Sequence, residues 1–153
     1  MLLGIISDTH GLLRPEALHA LRGASLIVHA GDVGAPEILT QLKAIAPVFA
    51  VRGNVDVEPW AQELPLATMV EAEGFNLYVL HNLQHLDLKP EASGIHMVIS
   101  GHTHQPEQYE RAGVLFLNPG SAGPRRFHLP VTLALLDLDR KPLRAEFIPL
   151  IPV

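Results

Sequence analysis

The stretch "MLLGIISDTHGLLRPEALHALRGASLIVHAGD", residues 1–32, sets two short apolar, β-branched runs on either side of a different pattern. The runs are "LLGIIS" (2–7) and "SLIVHA" (25–30). Between them "RPEALHALRG" (14–23) has Pro15 where a helix starts, leucines at helical spacing and a closing glycine, so the whole reads as strand, helix, strand. "APEILTQLKAIA" (35–46) repeats the helix with Pro36 at its start, and "PVFAVRGN" (47–54) supplies a third strand. Strands joined by such crossovers run parallel.

Beyond Pro65 the character changes. "ATMVEAEG", "FNLYVLHN", "IHMVISGH", "QYERAG", "VLFLNPGS", "VTLALLDLD" and "LRAEFIPL" are strand-like, and only "LDLKPEAS" hints at a helix. One sheet would hold so many strands awkwardly, so the expected architecture is two packed sheets flanked by helices. No repeat, low-complexity tract or linker interrupts the chain, which predicts a single domain over 1–153.

Composition narrows the function. The 153 residues are 48% hydrophobic with a formal net charge of -5, which suits one ordinary core and argues against a surface built to coat nucleic acid or an anionic membrane. There is no cysteine, hence no disulfide framework, thiolate metal site or cysteine nucleophile. The amino terminus has no basic leader and no apolar run approaches the length of a membrane span, so a soluble, cytoplasmic chain is expected.

Polar residues punctuate the strand ends. Asp8 and His10 close the first strand, Asp32 the second, Asn54 the third, His81 a later one, and His102 and His104 the one after it. The intervals between these ends run from 21 to 27 residues, about one supersecondary unit each. Carboxyl ends of strands in α/β sheets share an edge, where ligands bind. Within "VISGHTHQP" (98–106) two imidazoles one residue apart would share a face and need two sets of polar partners, which one cation satisfies. Two carboxylates, one amide and four imidazoles form a mixed N/O donor set suited to Mn, Fe, Zn, Ni or Co. Seven donors are too many for one ion, so two ions sharing a carboxylate are expected.

The ordered series "DTH", "GD", "GN", a strand-end His and "GHTH" resembles that of the calcineurin-like metallophosphoesterases, particularly their small bacterial and archaeal phosphodiesterase branch. "LNPGSAGPRR" (117–126) resembles a segment of the same branch. The resemblance implies an α/β fold, a four-layer α/β/β/α sandwich of two mixed sheets. It also implies one ion held by Asp8, His10, Asp32 and His104 and another by Asp32, Asn54, His81 and His102, with Asp32 bridging. Two divalent ions per chain, manganese first, would activate water against a small phosphoester. Asp8, Asp32, Asn54 and His81 would be the catalytic members, and Asn54, Arg125 and Arg126 would contact the substrate phosphate. Bulk nucleic acid and membrane are not expected partners, and a homo-oligomer remains open.

Several residues carry weaker signals. Larger relatives place a proton-donating histidine after the third-motif Asn, where this chain has Val55 and then Asp56; either the acid is missing or Asp56 replaces it. Asn82 stands where related chains have glycine, which suggests a left-handed turn that Asn tolerates. His29 reads equally as an orienting partner of the site or a core histidine; His19, His96 and His128 read as structural or surface residues. Two alternatives compete with a hydrolase. One is a non-catalytic protein-binding scaffold of the same fold, as in the retromer subunit that resembles this family. The other is a metal-free nucleotide-binding domain, which the absence of any GxGxxG or GxxxxGKS loop disfavours.

Overall fold

Residues 1–152 are described by a computed structural model. The first unit is strand β1 (Leu2–Ile6), helix α1 (Pro15–Ala20) and strand β2 (Leu26–His29), followed by helix α2 (Pro36–Lys43) and strand β3 (Val48–Ala50). β1, β2 and β3 pair in parallel. Both helices begin at the prolines, whose missing N–H costs nothing in a first turn.

All seven later strands are present: β4 (Ala67–Ala72), β5 (Phe75–Leu80), β6 (Met97–Ile99), β7 (Glu107–Arg111), β8 (Val114–Asn118), β9 (Thr132–Asp137) and β10 (Glu146–Pro149). They divide unequally. β9 and β10 return to the first sheet, which runs β10-β9-β1-β2-β3, while the second runs β4-β5-β6-β8-β7. Both sheets are mixed: β9 lies antiparallel to β1, and parallel β5, β6 and β8 are flanked by antiparallel β4 and β7.

Strand alternation makes two apolar layers. Leu3, Ile5 and Val28 face Leu77, Val79, Met97 and Ile99 between the sheets. Ile6, Ile27 and Leu133 face Leu21, Ile38 and Leu42 of the helical layer. On the outer face of the second sheet the covering layer holds no α-helix. Short 3₁₀ turns at 83–85 and 90–92 lay Leu83, Leu86 and Leu88 over Leu80, Val98 and Phe116. "LDLKPEAS" therefore yields only three 3₁₀ residues, because Lys89 is extended ahead of Pro90 and Gly94 follows at φ 71°.

Candidate metal centre

The carboxyl ends of β1, β2 and β3 meet those of β5 and β6 where the two sheets face each other. Contacts of the backbone itself draw them together. Gly101 N–H donates to the His81 carbonyl, and His102 N–H donates to Asp8 Oδ2 at 3.1 Å. A Cβ at Gly101 would strike the Ser7 hydroxyl and Asp8, and one at Gly53 would strike Asp32, so only glycine permits these approaches.

Five polar residues at these ends adopt left-handed backbone: Asp8 (φ 55°), His10 (47°), Asp32 (56°), His102 (74°) and His104 (64°). Such conformations cost non-glycine residues roughly 1–3 kcal/mol each and cluster at functional sites. In D-x-H the turn brings Asp8 and His10 to one side, whereas in H-x-H it leaves His104 buried against Asp8 and His102 exposed beside His81.

Asp8 and Asp32 occupy the middle of the cluster. Asp8 Oδ1 lies 3.4 Å from His104 Nε2, 3.7 Å from His10 Nε2 and 3.9 Å from His81 Nε2. Asp32 Oδ2 lies 3.2 Å from His81 Nε2 and 3.6 Å from His10 Nε2. The other carboxylate oxygens are occupied: Asp8 Oδ2 accepts from Ser7 and from His102 N–H, and Asp32 Oδ1 accepts from Val55 N–H. Two overlapping donor groups result, Asp8 with His10 and His104, and Asp8 with Asp32 and His81. Asn54 and His102 stand farther out. Both are exposed and line the cleft that His81 lines, with the His102 and His81 rings 5.3 Å apart.

The donor set fits divalent ions. Asp8 Oδ1, His10 Nε2, His81 Nε2 and His104 Nδ1 are buried without a hydrogen-bond partner, a concentration that packed proteins avoid unless something else satisfies it. His81 Nδ1 lies 2.8 Å from the Ala30 carbonyl, which can only accept; this leaves the Nε2 lone pair facing the carboxylates. Without ions the carboxylates and imidazoles favour each other's charged forms. Burial raises the Asp8 carboxyl, but the imidazoles of His10 and His104 and the Ser7 hydroxyl outweigh it and hold it far below the usual range. Asp32 is lowered likewise, against burial, by His81 and the Val55 N–H. His10 is raised chiefly by Asp8; His81 is raised by Asp32 and Asp8 in spite of its burial.

Other expected site residues fall elsewhere. Arg126 is exposed on the His10 side, where its charge opposes protonation of that imidazole. Arg125 instead lines a shallow recess with Val131 and Pro149. Asp56 is buried, and its carboxylate accepts from the N–H groups of Val33, Gly34 and Gly53. That makes it a turn anchor with no oxygen to spare, not the replacement acid. Asn82 is extended at φ −112°, not left-handed, and its side chain caps the 83–85 turn. His29 is fully buried, accepting from Gly31 N–H and meeting Thr9 Oγ1 at 3.0 Å; its ring touches backbone and Thr9, not a carboxylate or imidazole of the centre. Burial pushes it down to about 4. Ser121 donates to the Asp8 carbonyl, as a turn residue rather than a nucleophile.

Sequence reading missed a supporting shell of Ser7, Thr9, the Ala30 carbonyl and Asn118, whose amide donates to the Gly101 carbonyl and Thr103 Oγ1. The only signal for Ser7 and Thr9 was adjacency to Asp8.

Two sheets in an α/β frame, with buried carboxylates and imidazoles gathered at their facing edges, define a protein with a donor set suited to divalent ions. The model of the calcineurin-like phosphoesterase superfamily domain matches residues 1–141, and the chain belongs to that family. It is 39% identical over 163 residues to a probable metallophosphoesterase of Methanothermobacter thermautotrophicus, covering 97% of this chain and 92% of that protein. It is 30% identical over 169 residues to phosphodiesterase YfcE of Escherichia coli K12, covering 91% and 89%. A solved archaeal phosphodiesterase shares the fold with a TM-score of 0.81 at 24% identity, over 97% of this chain and 100% of that one. This chain is a metal-dependent phosphoesterase.

Proposed function

We propose that the protein is a phosphodiesterase working with two divalent ions, one near Asp8, His10, Asp32 and His104, the other near Asp32, His81, His102 and Asn54. One observation carries this reading: unpartnered polar atoms of Asp8, His10, His81 and His104 lie buried around two carboxylates. Divalent ions supply Lewis-acid polarisation of phosphoryl oxygens and lower the pKa of water. The chain's own residues do the rest. Asp8 and Asp32, ionised and central, set the spacing of positive charge. His81, oriented by Ala30, keeps its lone pair inward. Asn54, exposed at the cleft mouth, and Arg126, on the His10 side, are the proposed contacts for phosphoryl oxygens.

Manganese is the expected ion and the cytoplasm the expected compartment; a small diester is the expected substrate. The relative named as a phosphodiesterase supports the diester. A pure binding scaffold gains nothing from the strained turns at Asp8, His10, Asp32, His102 and His104. The test is elemental analysis after reconstitution, together with hydrolysis of an aryl diester. Two ions per chain are expected, and Asp32→Ala and His104→Ala should each lose an ion and at least about 10³-fold in rate while staying folded. At most one ion at saturation, or full activity in either variant, overturns the assignment.

A further inference from the structure

Two clefts open beside the candidate centre. One, about 360 Å³, is lined by Arg52, Asn54, Leu66, Tyr78, Leu80 and His85. The other, about 320 Å³, is lined by Leu83, Thr103, Tyr109, Phe116 and Leu117. Both also include Asn82 and His102, so these two residues stand on the divide between them. The first cleft reaches the centre through Asn54 and His81 as well as His102, and the second through His102 and Gly101.

Each cleft has the size of the smaller pockets that enclose organic ligands. Each combines an apolar wall with an aromatic face: Leu66, Leu80 and Tyr78 in the first, and Leu83, Leu117 and the Tyr109–Phe116 pair, stacked at 5.2 Å and 3°, in the second. Besides the shared Asn82 and His102, polar side chains enter the first at Arg52, Asn54, His81, His85 and Asp87, and the second at Gln84, Ser100, Thr103, Glu107 and Asn118. In the second cleft Asn118 is already committed to Gly101, Thr103 and Gly120, and the stacked Tyr109–Phe116 pair with Leu83 and Leu117 supplies the apolar face for the occupant.

A phosphomonoester has one organic arm and would leave one cleft empty. Resting on the phosphodiesterase reading above, we propose that the substrate is a diester with an aromatic or heteroaromatic ring on each ester arm. One arm lies in the Arg52–Tyr78 cleft and the other in the Tyr109–Phe116 cleft, with Asn82 as the positioning residue that separates them. The local sequence makes this divide. Because Asn82 is extended and caps the 83–85 turn, Leu83 is carried to the second cleft while His85 stays on the first.

The test uses the metal-loaded full chain and two diesters with one leaving group, bis(4-nitrophenyl) phosphate and methyl 4-nitrophenyl phosphate. Each kcat/KM is divided by the ester's own hydroxide-catalysed rate constant. The two-ring ester should be favoured by about tenfold, since burying a second ring releases apolar surface from water; a ratio above threefold supports the proposal, and one below it overturns it. Ala67→Trp should fill the first cleft and Gln84→Trp the second, and in either folded variant the ratio should fall towards one. Calorimetry with a non-hydrolysable bis-aryl phosphinate gives the same comparison without turnover, and equal binding by wild type and both filled variants overturns the two-cleft arrangement. The two readings fail differently. Equal normalised rates remove the two clefts and leave the phosphodiesterase; ions that bind without hydrolysis of either ester remove both.

Discussion

Asp56 holds three backbone N–H groups and follows Val55, an exposed side chain with no proton to give. Neither residue can protonate a leaving oxygen, and such assistance is worth about 10² to 10⁴ in rate. Across diesters of graded leaving-group pKa, hydrolysis should therefore slow steeply as the leaving group becomes more basic; a flat series with chemistry rate-limiting would reveal an acid elsewhere. Asp56→Ala should show its effect in stability, losing about 2–4 kcal/mol in urea unfolding of the metal-free chain, because three N–H donors, two of them buried, lose a charged acceptor. His29 makes a pH prediction. Its folded pKa of about 4 lies below the ordinary 6.5, so below pH 6.5 the unfolded chain takes up a proton that the folded chain refuses. Stability from this residue is full above pH 6.5 and drains away as pH falls to about 4, by a total on the order of 3 kcal/mol. The stability difference between wild type and His29→Asn in chelator should narrow over that window; a constant difference would exclude His29 as the titrating group.

At the scale of elements, the centre depends on β6 ending against β1. Gly101 makes that approach, with its position against Ser7 and Asp8 leaving no space for a methyl group. Gly101→Ala should push His102 and His104 outward together, weaken ion affinity at least about tenfold, and cost roughly 1–3 kcal/mol from overpacking. Titration calorimetry and urea unfolding of this one variant check both; unchanged ion affinity would show that the β6 end does not set the donor geometry. The helix expected near "LDLKPEAS" is instead one 3₁₀ turn at 90–92, and a separate 3₁₀ turn at 83–85, ahead of that stretch, carries Leu83 and His85 to the clefts beside the centre.

For the whole molecule, the centre joins two sheets that otherwise meet through apolar packing. Ions held by Asp8, His10 and Asp32 of one sheet and His81 and His104 of the other would bind only the folded chain. An ion at a hundred times its Kd adds about 2.7 kcal/mol, and for a chain of this length that should raise Tm by about 5–10 °C. Differential scanning fluorimetry with and without chelator measures the shift, and Asp32→Ala should abolish most of it. No helix among the described residues is long and apolar enough to cross a membrane.

Local pattern was enough to define the strands, the two helices and the polar strand ends, because period-two burial, helix-starting prolines and Gly-preceded polar residues are properties of neighbours in sequence. "DTH", "GD", "GN" and "GHTH" announced the donor types for the same reason. Which sheet each later strand joins was not legible: β9 pairs with β1 and β8 with β6, although β8 and β9 follow each other in the chain. That choice is made by long-range apolar packing. Roles decided by long-range partners were equally hidden. Asp56 and Asp32 are both carboxylates near a glycine at a strand end, yet one is consumed by three N–H groups and the other keeps an oxygen for the centre. His29 and His81 are both buried imidazoles; one ring lies against Gly31 N–H and Thr9, the other faces two carboxylates. A residue's type fixes what it can bind, but only the folded chain determines which of its atoms remain unpaired.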